Sequence, residues 1–174
     1  MSKYALELLS KEHDRKGFRS GMESIDQYLT RTARGHLEKG VSVTRVLVES
    51  GAVPPKPIAG YFTLTPISVT APGWPEVPKG LPRNPVGAIL LGRMGVHVEK
   101  QGERIGARLL ACARRITYDT ICGSGGIGMV VDAADESLIS FYQKFGFKQV
   151  SEETPLRLFL PTKSLVSDAT METR

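Results

Sequence analysis

Apolar positions along this chain follow a short period in some stretches and a helical one in others, and the switches outline its elements. Tyr4 to Leu9 alternates closely enough for a first strand, and Asp14 to Gly21 is polar and turn-like. From Met22, apolar residues fall at Ile25, Tyr28, Leu29, Ala33 and Leu37, a helical stripe ending near Gly40. Val41 to Glu49 and Ile58 to Val69 read as strands joined through a hairpin loop, Ser-Gly-Ala-Val-Pro-Pro-Lys-Pro. Proline and glycine then crowd Pro72 to Pro85, a long irregular connection of the kind that often serves binding.

Ala88 to Val98 is the central strand, and Glu103 to Thr120 a helix with Ile105, Leu109, Leu110, Ala113 and Ile116 on its inner side. A glycine-rich turn, Gly123 to Gly128, leads into a short buried strand, Gly128 to Ala133. Glu136 to Phe145 is a second amphipathic helix stopped by Gly146. Phe147 to Val150 and Leu156 to Leu160 form a closing antiparallel pair, and the polar tail from about residue 163 is expected to fray. The order predicts an α/β (α+β) fold: a mixed central sheet, antiparallel in its first half, with one βαβ crossover in its second, flanked by helices. One domain is expected over residues 1–174, with no internal repeat.

The 174 residues carry a formal charge of +5, which admits an anionic partner without requiring one. The two cysteines, Cys112 and Cys122, lack metal-ligand or redox spacing, so reduced thiols and no metal site are expected. The first residues show no apolar core followed by a cleavage site, and no run approaches membrane-spanning length. A cytoplasmic protein without membrane contact is the expectation.

Two stretches carry chemistry. Gln101–Ala107, Gln-Gly-Glu-Arg-Ile-Gly-Ala, lies between the central strand and a helix start. First-turn N–H groups lack intrahelical acceptors and the helix dipole adds partial positive charge, so such a loop can hold a phosphate. The pattern is neither a phosphate-binding P-loop nor a three-glycine dinucleotide fingerprint, and taken alone it is equally a tight turn. Tyr142 lies in Ser-Phe-Tyr-Gln-Lys-Phe-Gly-Phe on the second helix. A tyrosine among aromatics can be core, but a phenol of pKa about 10 is also a dependable proton donor. It can protonate a departing thiolate, whose thiol has a pKa of about 8.5. Loop and tyrosine together imply a thioester cofactor with a pyrophosphate.

The span from the central strand to Ser140–Phe147 resembles the GNAT superfamily of acyl-CoA N-acyltransferases. Its signature loop, Gln/Arg-x-x-Gly-x-Gly/Ala, is matched at Gln101 and Gly106, while Arg104 stands where the middle glycine is usual. The resemblance implies acetyl-CoA as co-substrate, with Met94 and Val96 offering strand backbone to its pantetheine arm and acetyl carbonyl. It implies that Gln101, Gly102, Glu103, Arg104, Ile105, Gly106 and Ala107 cradle the pyrophosphate, that Asp135 lies at a further cofactor-contacting position, and that Tyr142 is the general acid. Further segments are similar to the toxin branch of that superfamily, which belongs to bacterial toxin–antitoxin pairs. They run from Phe18 through Leu91-Gly92-Arg93 to Leu165; Ser20 replaces a usual Cys and Asp26 a usual Asn.

Membership of that branch implies acetyl transfer to the α-amine of an aminoacyl-tRNA, which stops translation, a homodimer, and a ribbon-helix-helix antitoxin. Arg31, Arg34, Arg83 and Arg93 are the candidates for tRNA phosphates, although any one of them taken alone reads equally as solvated surface. The expected chemistry is direct attack by a neutral amine, with the Val96 N–H facing the developing negative charge. No protein base is evident: His97 and Glu99 read as solvated residues at the strand end. Acetylation of protein N-termini or of a small amine remains open, as does a GNAT-like module that only binds.

Overall fold

The computed structural model describes residues 1–166. Its eight strands run in the order β1-β3-β4-β5-β6-β8-β7, with β2 beside β4. Two compact units are distinguished: Met1–Thr65 with Arg93–Leu110, and Pro66–Gly92 with the chain from Ala111 onward.

In the first unit, β1 (Tyr4–Leu8) pairs antiparallel with β3 (Val43–Glu49), placing Tyr4 opposite Glu49. β2 (His13–Asp14) runs parallel to the start of β4 (Lys56–Val69). β3 and β4 form the expected hairpin. Their register steps from Leu47↔Gly60 to Val48↔Ile58, so Ala59 bulges out and its carbonyl accepts the His97 N–H at 2.8 Å. The core gathers Leu9, Phe18, Ile25, Leu29, Ala33, Val46, Val48, Ile58 and Tyr61.

The expected single helix from Met22 to Gly40 is interrupted. α1 (Glu23–Gln27) passes into a π-helical turn, Tyr28–Thr32, before α2 (Ala33–Glu38). The Ala33 N–H reaches back five residues to the Tyr28 carbonyl. Side-chain competition for main-chain acceptors explains the widened turn: Thr30 Oγ1 donates to the Asp26 carbonyl at 2.8 Å, and Arg15 Nη1 donates to the Thr30 carbonyl at 3.0 Å.

In the second unit, β5 (Val86–Val96) contributes its first residues and pairs parallel with β6 (Gly128–Asp132), Ile89 opposite Met129. The connection is α3 (Ile105–Ser124), the expected βαβ crossover. α4 (Ile139–Lys144) follows a 3-10 turn, Glu136–Leu138. β7 (Lys148–Gln149) and β8 (Arg157–Pro161) are antiparallel, with β8 antiparallel to β6. Gly128 is dictated by packing: a Cβ there would lie 2.2 Å from the Leu160 carbonyl oxygen.

The Pro72–Pro85 connection is irregular but anchored. Trp74, Val77 and Leu81 pack on the core of Val69, Ala88, Val130 and Phe159, with the Trp74 and Phe159 rings 5.6 Å apart. The tail differs from expectation up to residue 166. Thr162–Ser164 form a 3-10 turn and Leu165 is fully buried. Arg114 holds it, donating to the Ser164 carbonyl at 2.6 Å and the Leu165 carbonyl at 3.1 Å. A single leucine among polar neighbours is the anchor; residues 167–174 lie outside the described chain.

Candidate active site

The loop after β5 lies in the first unit, where main-chain bonds set its course. His97 Nδ1 accepts the Glu99 N–H at 3.2 Å, so its Nε2 carries the proton and donates to the Gly17 carbonyl, also at 3.2 Å. Val98 N–H donates to the Arg19 carbonyl at 2.7 Å. Gln101 Nε2 donates to the Ser20 carbonyl at 3.1 Å and the Val96 carbonyl at 3.4 Å. Gly17, Arg19 and Ser20 therefore form a main-chain rail on which the loop rests, and Gln101 acts in that brace through its side chain. The rail is itself fixed. Ser20 Oγ donates to Asp26 Oδ1 at 2.6 Å, the Ser20 N–H donates to the same oxygen at 2.9 Å, and Ser20 Oγ accepts the Met22 N–H at 3.1 Å. The two departures from the toxin-branch pattern thus complement each other, a hydroxyl meeting a carboxylate.

Two residues of the loop have positive φ: Gly102 at +90° and Arg104 at +60°. The left-handed conformation at Arg104 is the one a glycine would adopt freely, so a glycine would fit this turn without strain. α3 begins directly after it. Arg108 N–H is bonded to the Arg104 carbonyl at 3.1 Å, so the N–H groups of Ile105, Gly106 and Ala107 are those without an intrahelical acceptor. The first turn of α3 lies tight on the sheet because Gly60 has no side chain. A Cβ there would sit 2.7 Å from Leu109 Cδ1, 3.0 Å from the Gly95 carbonyl and 3.1 Å from Ile105 Cγ2. Met94 and Val96 are half-buried on the last residues of β5.

The charged side chains around the loop are distributed unevenly. Lys100 pairs with Glu49 at 2.9 Å. Glu103 Oε2 accepts from the Tyr4 hydroxyl at 2.7 Å and from Lys3 Nζ at 3.1 Å. Tyr4, and then Lys3, hold the Glu103 carboxyl below the usual carboxylate range. Arg104 is exposed and enters no ion pair among the described residues. Main-chain N–H groups and one cation, with the neighbouring carboxylate held by Tyr4 and Lys3, make a donor set that fits a pyrophosphate.

The same unit carries three of the four candidate arginines. Arg31 is exposed, Arg34 pairs with Glu38 at 2.9 Å, and the Arg93 guanidinium lies 5.3 Å from the Tyr28 ring centroid. Tyr28 is itself fixed by its hydroxyl, 3.2 Å from His36 Nδ1 and 3.0 Å from Ser42 Oγ. Arg15 joins this basic group and was not anticipated, since it falls in a polar turn with no periodic signal. Burial, and then the like charge of Arg34, lower its pKa.

The second unit holds Tyr142, Asp135 and Arg83. Tyr142 lies on α4 and is 5% exposed, with edge contacts to Phe141 at 5.2 Å and Phe147 at 5.7 Å between ring centroids. No hydrogen-bond partner meets its hydroxyl among the described residues. Burial pushes its pKa far above the ordinary phenol value, so it stays a proton donor throughout the neutral range. Asp135 caps the turn before α4: Oδ1 accepts the Ser137 N–H at 2.8 Å and the Ser137 hydroxyl as well. Arg83 is exposed in the Pro72–Pro85 connection.

A mixed sheet with one βαβ crossover, whose helix opens on such a cradle, is the GNAT fold. No family model matches the chain. Individual proteins do. A tRNA-acetylating toxin of Mycobacterium tuberculosis (strain ATCC 25618 / H37Rv) is 32% identical over 158 residues, covering 89% of this chain and 90% of the relative. AtaT complexed with acetyl-methionyl-tRNAfMet superposes with a TM-score of 0.83 at 25% identity, over 93% of this chain and 96% of the other. AtaTR bound with acetyl-CoA gives 0.82 at 26% identity, over 95% and 97%. The chain belongs to the tRNA-acetylating toxins of the GNAT fold. Among the described residues no cluster of His, Cys, Asp or Glu could hold a metal ion, and no helix is long and apolar enough to cross a membrane.

Proposed function

We propose that the protein is an acetyl-CoA-dependent N-acetyltransferase that acetylates the α-amine of an aminoacyl-tRNA and so arrests translation. The observation that carries this reading is the agreement, over 89% of the chain, with a tRNA-acetylating toxin. Bound acetyl-CoA supplies an acyl group activated as a thioester. The first-turn N–H groups of α3, with the main chain of the rest of Gln101–Ala107, bind its pyrophosphate, and the β5 backbone at Met94 and Val96 orients its arm. The Val96 N–H serves the negative charge that develops on the acyl oxygen. Tyr142 holds a proton on its hydroxyl, kept there by burial, and gives it to the departing sulfur. Asp135 sets the start of α4 and adds a cofactor contact.

An α-amine on an ester-linked amino acid is less basic than an ordinary amine, so it reaches the site neutral without a protein base. Arg31, Arg34, Arg83 and Arg93 pair with tRNA phosphates, contacts that are tolerant of sequence and sensitive to salt. The chain acts as one acetyltransferase domain, since β4, β5 and α3 each run from one compact unit into the other. It works in the cytoplasm as a homodimer and is neutralised by a ribbon-helix-helix antitoxin. A cell-free translation reaction tests the activity. Added protein should stop synthesis when acetyl-CoA is present and not when it is omitted; unimpaired synthesis with acetyl-CoA present would refute the reading.

A further inference from the structure

The start of β1 has no part in the chemistry above, yet its side chains reach the loop across nearly a hundred residues of sequence. Tyr4 Oη lies 2.7 Å from Glu103 Oε2 and Lys3 Nζ lies 3.1 Å from the same oxygen. From the helix side, Arg108 Nη2 donates to the Tyr4 carbonyl at 3.1 Å, so the strand is tied both to the loop and to α3. Around the carboxylate stand Lys3, Tyr4 and the Lys100–Glu49 pair, Glu49 being the register partner of Tyr4.

A carboxylate in this place is a problem for an anion site. Glu103 directly precedes the left-handed Arg104 and the first turn of α3. An acidic side chain at a helix N-terminus is attracted to the orphan N–H groups and to the positive end of the dipole. Left untethered, Glu103 would cap those groups itself and set a negative charge beside an incoming phosphate. We propose that Lys3 and Tyr4 are positioning residues for cofactor binding: they hold and neutralise Glu103 on β1, leaving the first-turn N–H groups of α3 open to the pyrophosphate. The assignment rests on the reading of Gln101–Ala107 as the acetyl-CoA pyrophosphate site.

Titration calorimetry with coenzyme A tests it without turnover. Tyr4→Phe and Lys3→Met should each weaken binding by about 1.5- to 5-fold, the range that an exposed ion pair sustains. The loss should vanish on a Glu103→Gln background, because the competing carboxylate is gone; Tyr4→Phe/Glu103→Gln should then bind like Glu103→Gln alone. Equal losses on both backgrounds would mean that Tyr4 acts only through the general packing of β1, and would overturn the proposal, as would unchanged affinity in both single variants. A wild-type protein that does not bind coenzyme A would instead overturn the cofactor reading itself, and the positioning role with it.

Discussion

Replacing Arg104 by glycine separates two things the wild-type residue does at once. Its φ of +60° lies in the left-handed region, where a side chain costs roughly 1–2 kcal/mol. Glycine removes that strain but gives the unfolded chain more freedom, an opposing effect of about 0.4–1 kcal/mol. The difference is a net stabilisation of about 0–1.6 kcal/mol, centred on ~0.8, which for a chain of this size raises Tm by roughly 2–3 °C at that centre. The same substitution removes an exposed guanidinium from the loop beside the open N–H groups of α3. Coenzyme A should therefore bind less tightly to Arg104→Gly, with a difference that shrinks as salt rises. Arg104→Ala is the control, keeping the strain while losing the charge: its affinity should fall alike without any gain in Tm. Thermal melts and titration calorimetry at two salt concentrations measure both effects. A lower Tm for Arg104→Gly, or unchanged coenzyme A affinity in both variants, would refute the reasoning.

Three further outcomes follow from the structure. Tyr142→Phe should keep its fold and Tm, because the ring packing with Phe141 and Phe147 survives and the hydroxyl has no partner among the described residues to lose; kcat should fall by roughly 10²–10⁴. Gly60→Ala should destabilise by about 1–3 kcal/mol in chemical denaturation and also weaken coenzyme A binding, since the added carbon strikes Leu109 and Ile105 where α3 begins. Glu7, bonded to Lys56 at 2.9 Å and to His13 at 2.9 Å, has its pKa lowered from 4.5, chiefly by Lys56. Its contribution to stability is complete above pH 4.5 and is lost as pH falls through the depressed value, so Glu7→Gln should show a shallower acid decline in stability than wild type.

The strand-loop-helix unit at Leu90–Leu110 was legible because its signals are local: a buried apolar run, glycine in a tight turn, then a helical stripe. The resemblance to the GNAT signature marked Arg104 as the residue standing in a glycine's place, while its left-handed backbone is visible only in the structure. What could not be read locally depends on partners far along the chain. Glu103 and Tyr4 are separated by 99 residues, and neither belongs to a pattern that names the other. The π-helical turn at Tyr28–Thr32 interrupts an apolar stripe that is regular in sequence, because its cause is Arg15 and Thr30 taking main-chain acceptors. Leu165 stands among polar residues in sequence, and what anchors it is the Arg114 guanidinium, 51 residues away, donating to its carbonyl. Gln101 illustrates a middle case, since its motif position was evident while its bonds to the Ser20 and Val96 carbonyls were not.

The most direct test is to follow radiolabelled acetyl groups from acetyl-CoA in the presence of purified protein and a mixture of charged tRNAs, deacylated tRNAs, peptides and free amines. Label should appear on charged tRNA alone and be released by mild alkaline ester hydrolysis as an N-acetyl amino acid. Label confined to peptides or free amines, with charged tRNA unmarked, would contradict the account.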